Sequence, residues 1–453
     1  MRFAALAVDF DGTLAREGVV PPELLAALER VKASGRRVVL VTGRDLDELI
    51  GIFPSITLFD RVVAENGALL YRPATGEREQ LGPEPGEAFV EALRARGVTP
   101  LAVGRSIVAT VQPYEKEVLE TIRDLGLERQ VIFNKGAVMV LPSGVNKATG
   151  LAVALAELKL SPRNVVAMGD GENDHAMLEM AELGVAVSNA IPTLREAAHR
   201  VTTGSDHEGV MEVVADLLAS DLDTPTRRPG RSMLLGRSVE GRDVCVPAMG
   251  SSVLIAGESR AESVGFAHRL LERIRAQGYQ CCVLDTTGEH RELKDAVVLG
   301  SIESPPEARA IVEALESPEV AVVADLRALE EKARGTWLAD FAARMAELRR
   351  TRCRPHRLVI DDAHDLLASG DELPEGLLSV DAIHVTTDPA GLAVDLLETV
   401  DSVIELTDEG ITYRSADDET RIVLEPRSEA VSRVTPPSTV ARLAASPPAA
   451  PSH

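Results

Sequence analysis

Short runs of β-branched and other apolar residues alternate with amphipathic segments along the first part of the chain. The runs FAALAVDF, RRVVLVTG and DRVVAEN are typical of buried strands, and PPELLAALERVKASG has the apolar spacing of a helix. Strands connected through helices pair in parallel, because each helix carries the chain back to the same end of the sheet. The pattern therefore predicts an α/β domain with a buried parallel sheet.

The segment from about 77 to 140 interrupts this alternation. It mixes short strands and helices with frequent Gly and Pro turns, so we interpret it as an α/β insertion, or cap, within the first domain. The alternation returns with the helix NKATGLAVALAELK and the strand NVVAMGD. Together these elements predict a Rossmann-like domain over residues 1–218.

A stretch rich in Pro, Gly and charge, ASDLDTPTRRPGR, follows, and we expect a linker over 219–232. A second series of apolar strands and helices predicts another α/β domain over 233–425. The last residues, 426–453, are rich in Pro, Ser and Ala and bury too little apolar surface to offset the entropy of ordering. We expect them to form a disordered tail.

Composition narrows the range of partners. The 453 residues include 48 Lys and Arg against 71 Asp and Glu, a net charge of −23, and neither half is basic. This balance disfavours nucleic acid and anionic lipid as partners. Four cysteines without a C-x-x-C pair disfavour a disulfide framework or a zinc site. The sequence has no long apolar segment and no secretory signal, so we expect a cytoplasmic protein that does not span a membrane. Assembly into a homo-oligomer through the C-terminal domain is an open alternative.

Two carboxylates close the first predicted strand. In AALAVDFDGTL, Asp9 and Asp11 are two residues apart and so lie on the same side of an extended chain, and Gly12 permits a sharp turn after them. Open α/β sheets bind ligands at the carboxyl ends of their strands. Two carboxylates there suit a nucleophile with an acid–base partner, or a metal site; a plain Asp-Gly turn at the end of a strand is the less favoured alternative.

Further polar positions follow the same rule. Thr42 ends the strand in VVLVTG, where its hydroxyl can donate to a phosphate oxygen or cap a helix. Lys147 begins a helix after the insertion, where a lone lysine is usually solvated. Asp170 ends the strand NVVAMGD and Asp174 begins the next helix. Such carboxylates can hold a hard divalent ion such as Mg²⁺.

In the order D-x-D-G-T, Thr, Lys and G-D-x-x-x-D, the four motifs resemble the haloacid dehalogenase superfamily of phosphatases. The resemblance covers about residues 1–216. The phrases VAENGA, PSGVNKATGL and GDGENDHAMLEMA, with an insertion between the Thr and Lys motifs, are similar to its subclass IIB, the Cof-like and sucrose-phosphatase-like enzymes. The resemblance implies a Rossmann-like core with an inserted α/β cap and a phosphatase that acts on a small phosphorylated metabolite, with a sugar phosphate as the expected substrate.

The resemblance also implies four catalytic roles. Asp9 would attack phosphorus and form an aspartyl-phosphate. Asp11 would protonate the departing alkoxide and then take a proton from the water that hydrolyses the intermediate. Thr42 would orient the phosphoryl oxygens, and Lys147 would offset the repulsion between the carboxylate and the phosphate dianion.

The expected cofactor is Mg²⁺. By the same resemblance its ligands would be Asp9, Asp170 with help from Asp174, and Asp11 through its backbone carbonyl. The expected substrate-binding positions are Gly12, Thr13, Gly43, Arg44, Asn66, Asn173 and Asn189. The cap should select the leaving group, but its Lys135 and Arg105 are expected to be solvated surface residues, as most charged side chains are.

The second domain has a nucleotide-binding pattern with altered phosphate contacts. The segment SSVLIAGESRAESVGFAHRLLERI predicts a strand, a turn and a helix whose beginning could bind phosphate. Aligned on Ser263, however, Ala256, Ala261 and Glu262 stand where the P-loop motif G-x-x-x-x-G-K-S/T has Gly, Gly and Lys. An acidic side chain at this point repels a triphosphate, and the added Cβ atoms crowd the loop.

Residues 233–405 nevertheless resemble the HerA and FtsK type of DNA-translocating ATPases. The segments VAVVADLRAL, RTRCRPHRLVIDDAHDLL and IHVTTDPAGL are similar to their strands. The resemblance implies a P-loop-NTPase-like domain whose degenerate nucleotide site comprises Gly257, Ser263, Asp361 at the Walker B position and Asp362 in place of the usual Glu. We expect that this domain no longer hydrolyses nucleotide and instead supports assembly, regulation or partner binding.

Two functions of different classes follow from these motifs. The first is a Mg²⁺-dependent phosphatase for a small phosphorylated metabolite, working through an aspartyl-phosphate. The alternative is a nucleotide-sensing or nucleic-acid-associated assembly protein with an ancillary phosphatase domain, and a catalytically idle scaffold is the third. A complete first set of motifs beside an altered P-loop favours the phosphatase.

Overall fold

The computed structural model describes residues 1–222, 231–368, 374, 377, 381–415 and 419–423. The predicted tail, and residues 223–230 of the predicted linker, lie outside the described residues. The strands of the first 222 residues are β1 (Ala5–Asp9), β2 (Arg37–Val41), β3 (Arg61–Ala64), β4 (Leu69–Arg72), β5 (Glu77–Gln80), β6 (Ala102–Val103), β7 (Val108–Val111), β8 (Arg129–Asn134), β9 (Ala137–Pro142), β10 (Val165–Gly169), β11 (Leu183–Ala186) and β12 (Arg200–Val201). The helices are α1 (Pro22–Ala33), α2 (Leu46–Ile52), α3 (Glu87–Ala95), α4 (Glu115–Asp124), α5 (Lys147–Glu157), α6 (His175–Met180), α7 (Pro192–Ala197) and α8 (Asp206–Ser220).

The first sheet has eight strands in the order β12-β11-β10-β1-β2-β3-β4-β5. The strands from β12 to β3 pair in parallel, and β4 and β5 add an antiparallel edge. All residues of β1 are buried, which explains its unbroken apolar run. Because β1 lies between β10 and β2, the loops at the carboxyl ends of these three strands meet at one edge. The predicted Rossmann-like core is confirmed.

A smaller antiparallel sheet forms the inserted cap. Its strand order is β6-β7-β9-β8, and helices α3 and α4 pack on one face of it through an apolar cluster that includes Phe89, Val118 and Val140. The predicted start of the insertion near 77 is wrong, because β5 pairs with β4 and extends the first sheet. The polar EREQ segment is solvated on an outer strand and has no apolar alternation by which its sheet could be assigned.

The second half has its own α/β elements. Its strands are β13 (Ser232–Ser238), β14 (Asp243–Pro247), β15 (Val253–Gly257), β16 (Cys281–Asp285), β17 (Ala296–Leu299), β18 (Ala321–Asp325), β19 (Arg357–Ile360), β20 (Ala382–Thr386), β21 (Ser402–Thr407), β22 (Gly410–Ser415) and β23 (Glu419–Val423). Its described helices are α9 (Arg260–Ala276), α10 (Ala308–Leu315), α11 (Glu331–Arg352), α12 (Ala363–Leu366) and α13 (Val394–Leu397).

Eleven strands form one sheet in the order β14-β13-β23-β22-β21-β15-β20-β19-β16-β18-β17. From β21 to β17 the neighbours are parallel, so the carboxyl ends of β15, β20, β19 and β16 are adjacent. This architecture is α/β, as the apolar runs predicted. Its P-loop-like character and the division of the chain at 219–232 stay predictions.

The two halves contact each other through buried polar groups. The Tyr279 hydroxyl donates to Glu182 at 2.7 Å, and a ring nitrogen of His356 lies 3.1 Å from the Asn164 side-chain oxygen. Arg163 also donates to the carbonyl of Gln277 at 2.8 Å. Buried polar groups require such partners, and here the partners come from the opposite half of the chain.

No helix among the described residues is both long and apolar enough to cross a membrane.

Candidate active site

Three carboxylates converge where β1 and β10 end. Asp9 is the last residue of β1, Asp170 directly follows β10, and Asp174 precedes α6. One oxygen from each of them lies within 4.8 Å of the others, and all three side chains are buried. The structure thus brings together three of the residues that the motifs singled out.

Lys147 lies among these carboxylates. It begins α5, whose start is stabilised by a capping box in which the Asn146 side chain accepts from the Thr149 amide and the Thr149 hydroxyl from the Asn146 amide. The Lys147 ammonium donates to Asp9 and to Asp174, both at 2.6 Å, and only 1% of the residue is exposed. The plainer expectation of a solvated lysine is therefore wrong.

Burial and charge oppose each other at this cluster. Burial raises the pKa of Asp9 well above its ordinary value, and the nearby Lys147 only partly counteracts it. Burial likewise raises the pKa of Asp170. Burial alone would lower the pKa of Lys147, but the charges of Asp174 and Asp9 outweigh it and the pKa is raised. Three buried carboxylates face two lysines, Lys147 on Asp9 and Asp174 and Lys135 on Asp170, so the cluster keeps one negative charge in excess that a further cation would balance.

The donor set and the surrounding backbone fit a divalent ion. Carboxylate oxygens are the ligands that Mg²⁺ prefers. Glycines allow the close approach of the carboxylates: a Cβ on Gly169 would lie 2.6 Å from an Asp174 oxygen, and one on Gly12 would collide with Asp170. Gly12 also has a φ of +80°, which strains other residues.

Asp11 lies outside the three-carboxylate cluster. Arg44 donates to both of its oxygens at 2.7 Å, in a bidentate pair at the entrance of the site. The side chain of Asp11 is 45% exposed, whereas that of Asp9 is 7% exposed. The two aspartates of the D-x-D motif therefore have different surroundings, as different chemical roles require.

Several buried polar atoms near the cluster lack a partner among the described residues. These are Thr13 Oγ1, Asn173 Oδ1 and Asn134 Oδ1. Thr42 is fully buried, and its hydroxyl oxygen accepts from the Arg44 amide at 3.1 Å, so its proton is still available for donation. Unsatisfied buried polar atoms are costly, and a bound ligand is one way in which they become satisfied.

The remaining predicted binding positions support the loops. The Asn66 side chain accepts from Asn173 at 2.7 Å, and a Cβ on Gly43 would lie 3.2 Å from the Asn66 amide nitrogen. Asn189 is exposed; it donates to the Gly12 carbonyl at 2.8 Å and accepts from the Asp206 amide at 2.8 Å. Asn189 thus holds the Gly12 loop to the start of α8.

The tip of one cap hairpin reaches the carboxylates. Lys135 and Gly136 both have positive φ and form the two-residue turn between β8 and β9. The Lys135 ammonium contacts Asp170, and a Cβ on Gly171 would collide with the Asn134 side chain. Lys135 is a surface residue as expected, with 45% of its side chain exposed, but its ammonium also contacts the carboxylate cluster; Arg105 is exposed as expected. The Asn-Lys-Gly turn was the available signal, but its target lies 35 residues away.

Glu65 is a structural residue of the site that the motif analysis missed. It is fully buried, and its carboxylate accepts from three backbone amides of the cap, those of Arg105 at 3.1 Å, Ser106 at 2.8 Å and Ile107 at 3.2 Å. A buried carboxylate needs such partners. Glu65 thereby anchors the β6–β7 turn of the cap to the core.

The second predicted site is arranged differently. Asp361 and Asp362 follow β19, and Arg260 at the start of α9 donates to Asp362 at 2.6 Å and to Asp361 at 3.3 Å. The hydroxyl of Ser263 donates within its own helix to the Ser259 carbonyl, and a Cβ on Gly257 would collide with it. A guanidinium therefore lies on both carboxylates of the predicted degenerate nucleotide site.

Comparison with known proteins assigns the first half. The family described as haloacid dehalogenase-like hydrolase matches residues 6–113 and 105–214. A phosphoglycolate phosphatase of Natronomonas pharaonis is 34% identical over 223 residues, which are 47% of this chain and 96% of that protein. The chain belongs to the haloacid dehalogenase-like hydrolases. A phosphoglycolate phosphatase of Methanothermobacter thermautotrophicus is 32% identical over 46% of this chain and 96% of its own length.

The structure of a haloacid dehalogenase-like hydrolase from Bacteroides thetaiotaomicron aligns over 48% of this chain and 99% of its own length, with 20% identity and a TM-score of 0.41. The expectation that this haloacid dehalogenase-like hydrolase is an enzyme of the phosphoric monoester hydrolase class is confirmed. The resemblance of the second half to DNA-translocating ATPases stays a prediction.

Proposed function

We propose that the protein is a Mg²⁺-dependent phosphatase that works through an aspartyl-phosphate on Asp9. The observation that carries this proposal is the cluster of Asp9, Asp170 and Asp174 around the Lys147 ammonium, at the carboxyl edge of a parallel sheet. Asp9, Asp170 and Asp174 would hold Mg²⁺, joined by the backbone carbonyl of Asp11. The bound ion would act as a Lewis acid that offsets the charge of the phosphoryl oxygens.

The chain's own groups would carry the bond changes. An Asp9 oxygen attacks phosphorus and the bond to the leaving oxygen breaks, while Asp11 gives its proton to the departing alkoxide. Water then attacks the same phosphorus, Asp11 takes a proton from it, and the bond between Asp9 and phosphorus breaks to release phosphate. Arg44 pairs with both Asp11 oxygens before substrate enters, so at least one of these hydrogen bonds has to open for Asp11 to carry and transfer the proton.

Neutral and cationic donors would bind the phosphoryl oxygens. Thr42 is buried with a proton available, and Thr13 has an unpartnered buried hydroxyl. Lys147 would offset the repulsion between Asp9 and the incoming dianion. Such preorganised donors typically contribute about 2.7–4 kcal/mol each to the transition state, because they need no rearrangement when charge develops.

The cap favours a small, negatively charged leaving group. Lys135 brings a positive charge from the cap to the opening that Arg44 lines on the core side. Curated relatives are named phosphoglycolate phosphatases. We therefore favour a phosphorylated small acid such as phosphoglycolate as the substrate over the sugar phosphates that the motifs alone implied.

Purified Asp9→Asn protein tests the proposal. The rate with phosphoglycolate and with p-nitrophenyl phosphate should fall by roughly 10⁴-fold or more, as when a catalytic nucleophile is removed, and EDTA should abolish the parent activity. Asp47→Asn is the matched control, because Asp47 is an exposed aspartate on α2 paired with Arg78. Parental activity in Asp9→Asn protein of unchanged melting temperature contradicts the assignment.

The alternative function in nucleotide sensing through a P-loop has less support. The Arg260 guanidinium lies on Asp361 and Asp362, and Glu262 takes the place of the phosphate-binding lysine. Entry of Mg²⁺-ATP would require both carboxylates to give up their cation. We propose that this site is not used for hydrolysis and that the second half has a supporting role.

A further inference from the structure

A cavity of about 980 Å³ lies between the two halves of the chain, away from the carboxylate cluster. On the side of the first half it is bordered by Arg2 and Ala4, at the amino end of β1, and by Arg37, which begins β2. Asp9 lies at the opposite end of β1. The cavity is therefore separated from the candidate active site by the length of the first sheet, and its size is that of a small-molecule pocket.

Cationic side chains from both halves line this cavity. The arginines are Arg2, Arg37, Arg349, Arg350 and Arg352. Two aspartates, Asp221 and Asp381, also border it, and Arg2 is paired with Glu182 at 3.0 Å. With the partners of Arg37 and Arg350 counted as well, the five arginines face five carboxylates, so an anionic ligand would bind by replacing some of these pairs.

The arginines at the rim have weakly held partners. Arg37 pairs with Asp60 at 3.0 Å, and Arg350 pairs with Glu347 at 2.7 Å on its own helix; half or more of both guanidinium side chains is exposed. Such exposed pairs contribute little to stability and can be exchanged for a ligand anion. Arg352 donates to the Leu158 carbonyl, which leaves its charge uncompensated in that contact.

The buried part of the cavity lining is mostly apolar, with the His356 imidazole as its polar member. Ala4, Leu160, Met249 and Cys353 line it, and each is buried. An apolar base below a cationic rim matches a ligand with an apolar body and several negative charges. Guanidinium groups bind phosphate oxygens with two parallel hydrogen bonds, so phosphate is the anion that best suits this rim.

We propose that this cavity is a binding site for a small phosphate-rich anion, such as a nucleoside triphosphate or an inorganic polyphosphate. Arg2 and Arg37 come from the first half and Arg349, Arg350 and Arg352 from the second, so the occupied site joins the two halves. A ligand that binds only the joined arrangement stabilises it by mass action. The site is independent of the catalytic assignment and of the altered P-loop.

Isothermal titration of the full chain with ATP in EDTA tests the proposal, because EDTA prevents turnover. The parent protein should bind, and Arg37→Gln and Arg350→Gln should each weaken binding about tenfold, which corresponds to 1.4 kcal/mol. Both arginines are exposed at the rim, so the variants should fold. The matched control is Arg309→Gln on α10, an equally exposed arginine paired with Glu313. Asp361→Asn and Asp9→Asn should bind ATP as the parent does.

Tripolyphosphate distinguishes the two sources of the anion. Affinity equal to that of ATP identifies the charges as the recognised feature, and affinity at least tenfold weaker assigns a role to the nucleoside on the apolar base; both results support the site. No detectable binding of either compound overturns the proposal. Binding that is unchanged by both Arg37→Gln and Arg350→Gln also overturns it, because the ligand then binds at another site.

Discussion

The two sheets present carboxylates at the same topological place, but their surroundings differ. In the first, Asp9 and Asp174 share the fully buried Lys147, Asp170 contacts Lys135, and glycines leave space beside the three carboxylates. In the second, a partly exposed arginine lies on Asp361 and Asp362, and alanines replace the loop glycines of a P-loop. The first arrangement has three carboxylates and two contacting lysines, and the second has two carboxylates and one contacting arginine, so the two differ in the space beside the carboxylates and not in net charge.

This contrast shows that the same sheet architecture creates a possible ligand site in both halves, and that the side chains at the site determine whether a ligand can bind. Both edges follow the rule that open α/β sheets bind ligands beyond the carboxyl ends of their strands. At the first edge, unpartnered buried atoms on Thr13 and Asn173 remain for a ligand. At the second, Ser263 is engaged within its own helix, and the acidic Glu262 follows in the same turn.

Among the substitutions that test this comparison, replacing Lys147 should have the largest effect on stability. Lys147→Met removes the cation between Asp9 and Asp174, so two buried carboxylates lose their partner; breaking a buried pair costs about 3–5 kcal/mol. We expect the melting temperature to fall by roughly 6–20 °C, from about 2–4 °C per kcal/mol. We also expect a rate loss of at least about 100-fold, by the loss of a transition-state donor.

The control for this prediction is Lys332→Met, because Lys332 is a highly exposed lysine paired with Glu330 in the second half. Mg²⁺ should raise the melting temperature of Lys147→Met protein more than that of the parent, since a cation then restores charge balance in the cluster. Equal stability of Lys147→Met and parent protein without metal would show that the cluster is not charged as the contacts imply.

Replacing Arg260 sharpens the comparison from the other side. Arg260→Met leaves Asp361 and Asp362 without their cation, but a third of the arginine side chain is exposed, so the cost is about 1–2 kcal/mol. The melting temperature should fall by roughly 2–8 °C. Phosphatase activity should not change, because the site lies on the other sheet.

Titration of Arg260→Met protein with Mg²⁺-ATP separates two explanations of the second site. We expect no gain in binding, because Glu262 still repels the phosphates and the glycine positions are still alanine. Arg309→Met is the control for loss of an exposed arginine. A gain of micromolar Mg²⁺-ATP binding would mean that Arg260 alone closes a working nucleotide site.

The comparison also shows which site features sequence patterns can predict. Asp9, Thr42 and Asp170 were predictable, because each directly follows an apolar strand and parallel strands end at one edge of the sheet. Lys135 and Glu65 were not predictable. Lys135 lies in the cap and contacts the core, and Glu65 lies in the core and contacts the cap, so both contacts form only when the cap packs on the core. Such contacts leave no periodic signal.

The same limit applies to the second half and to the edge of the first sheet. Alignment on the P-loop directed attention to Glu262, whereas the residue that contacts the carboxylates is Arg260, two positions earlier. The strand Glu77–Gln80 was assigned to the insertion because an all-polar edge strand lacks alternation. Apolar strands were predictable throughout, because burial on both faces selects their composition.

Replacing Lys135 should produce the smallest effect, confined to one class of substrate. Lys135→Met removes the positive charge that the cap brings to the opening. We expect KM for phosphoglycolate to rise about tenfold, as for loss of one charged hydrogen bond of about 1.5 kcal/mol. The kcat/KM for p-nitrophenyl phosphate should stay close to the parental value. Lys116→Met is the matched control, because Lys116 is a largely exposed lysine on the cap helix α4. Equal losses with both substrates would instead show that Lys135 acts on the carboxylate cluster itself, since its ammonium contacts Asp170. Other parts of the cap would then select the leaving group.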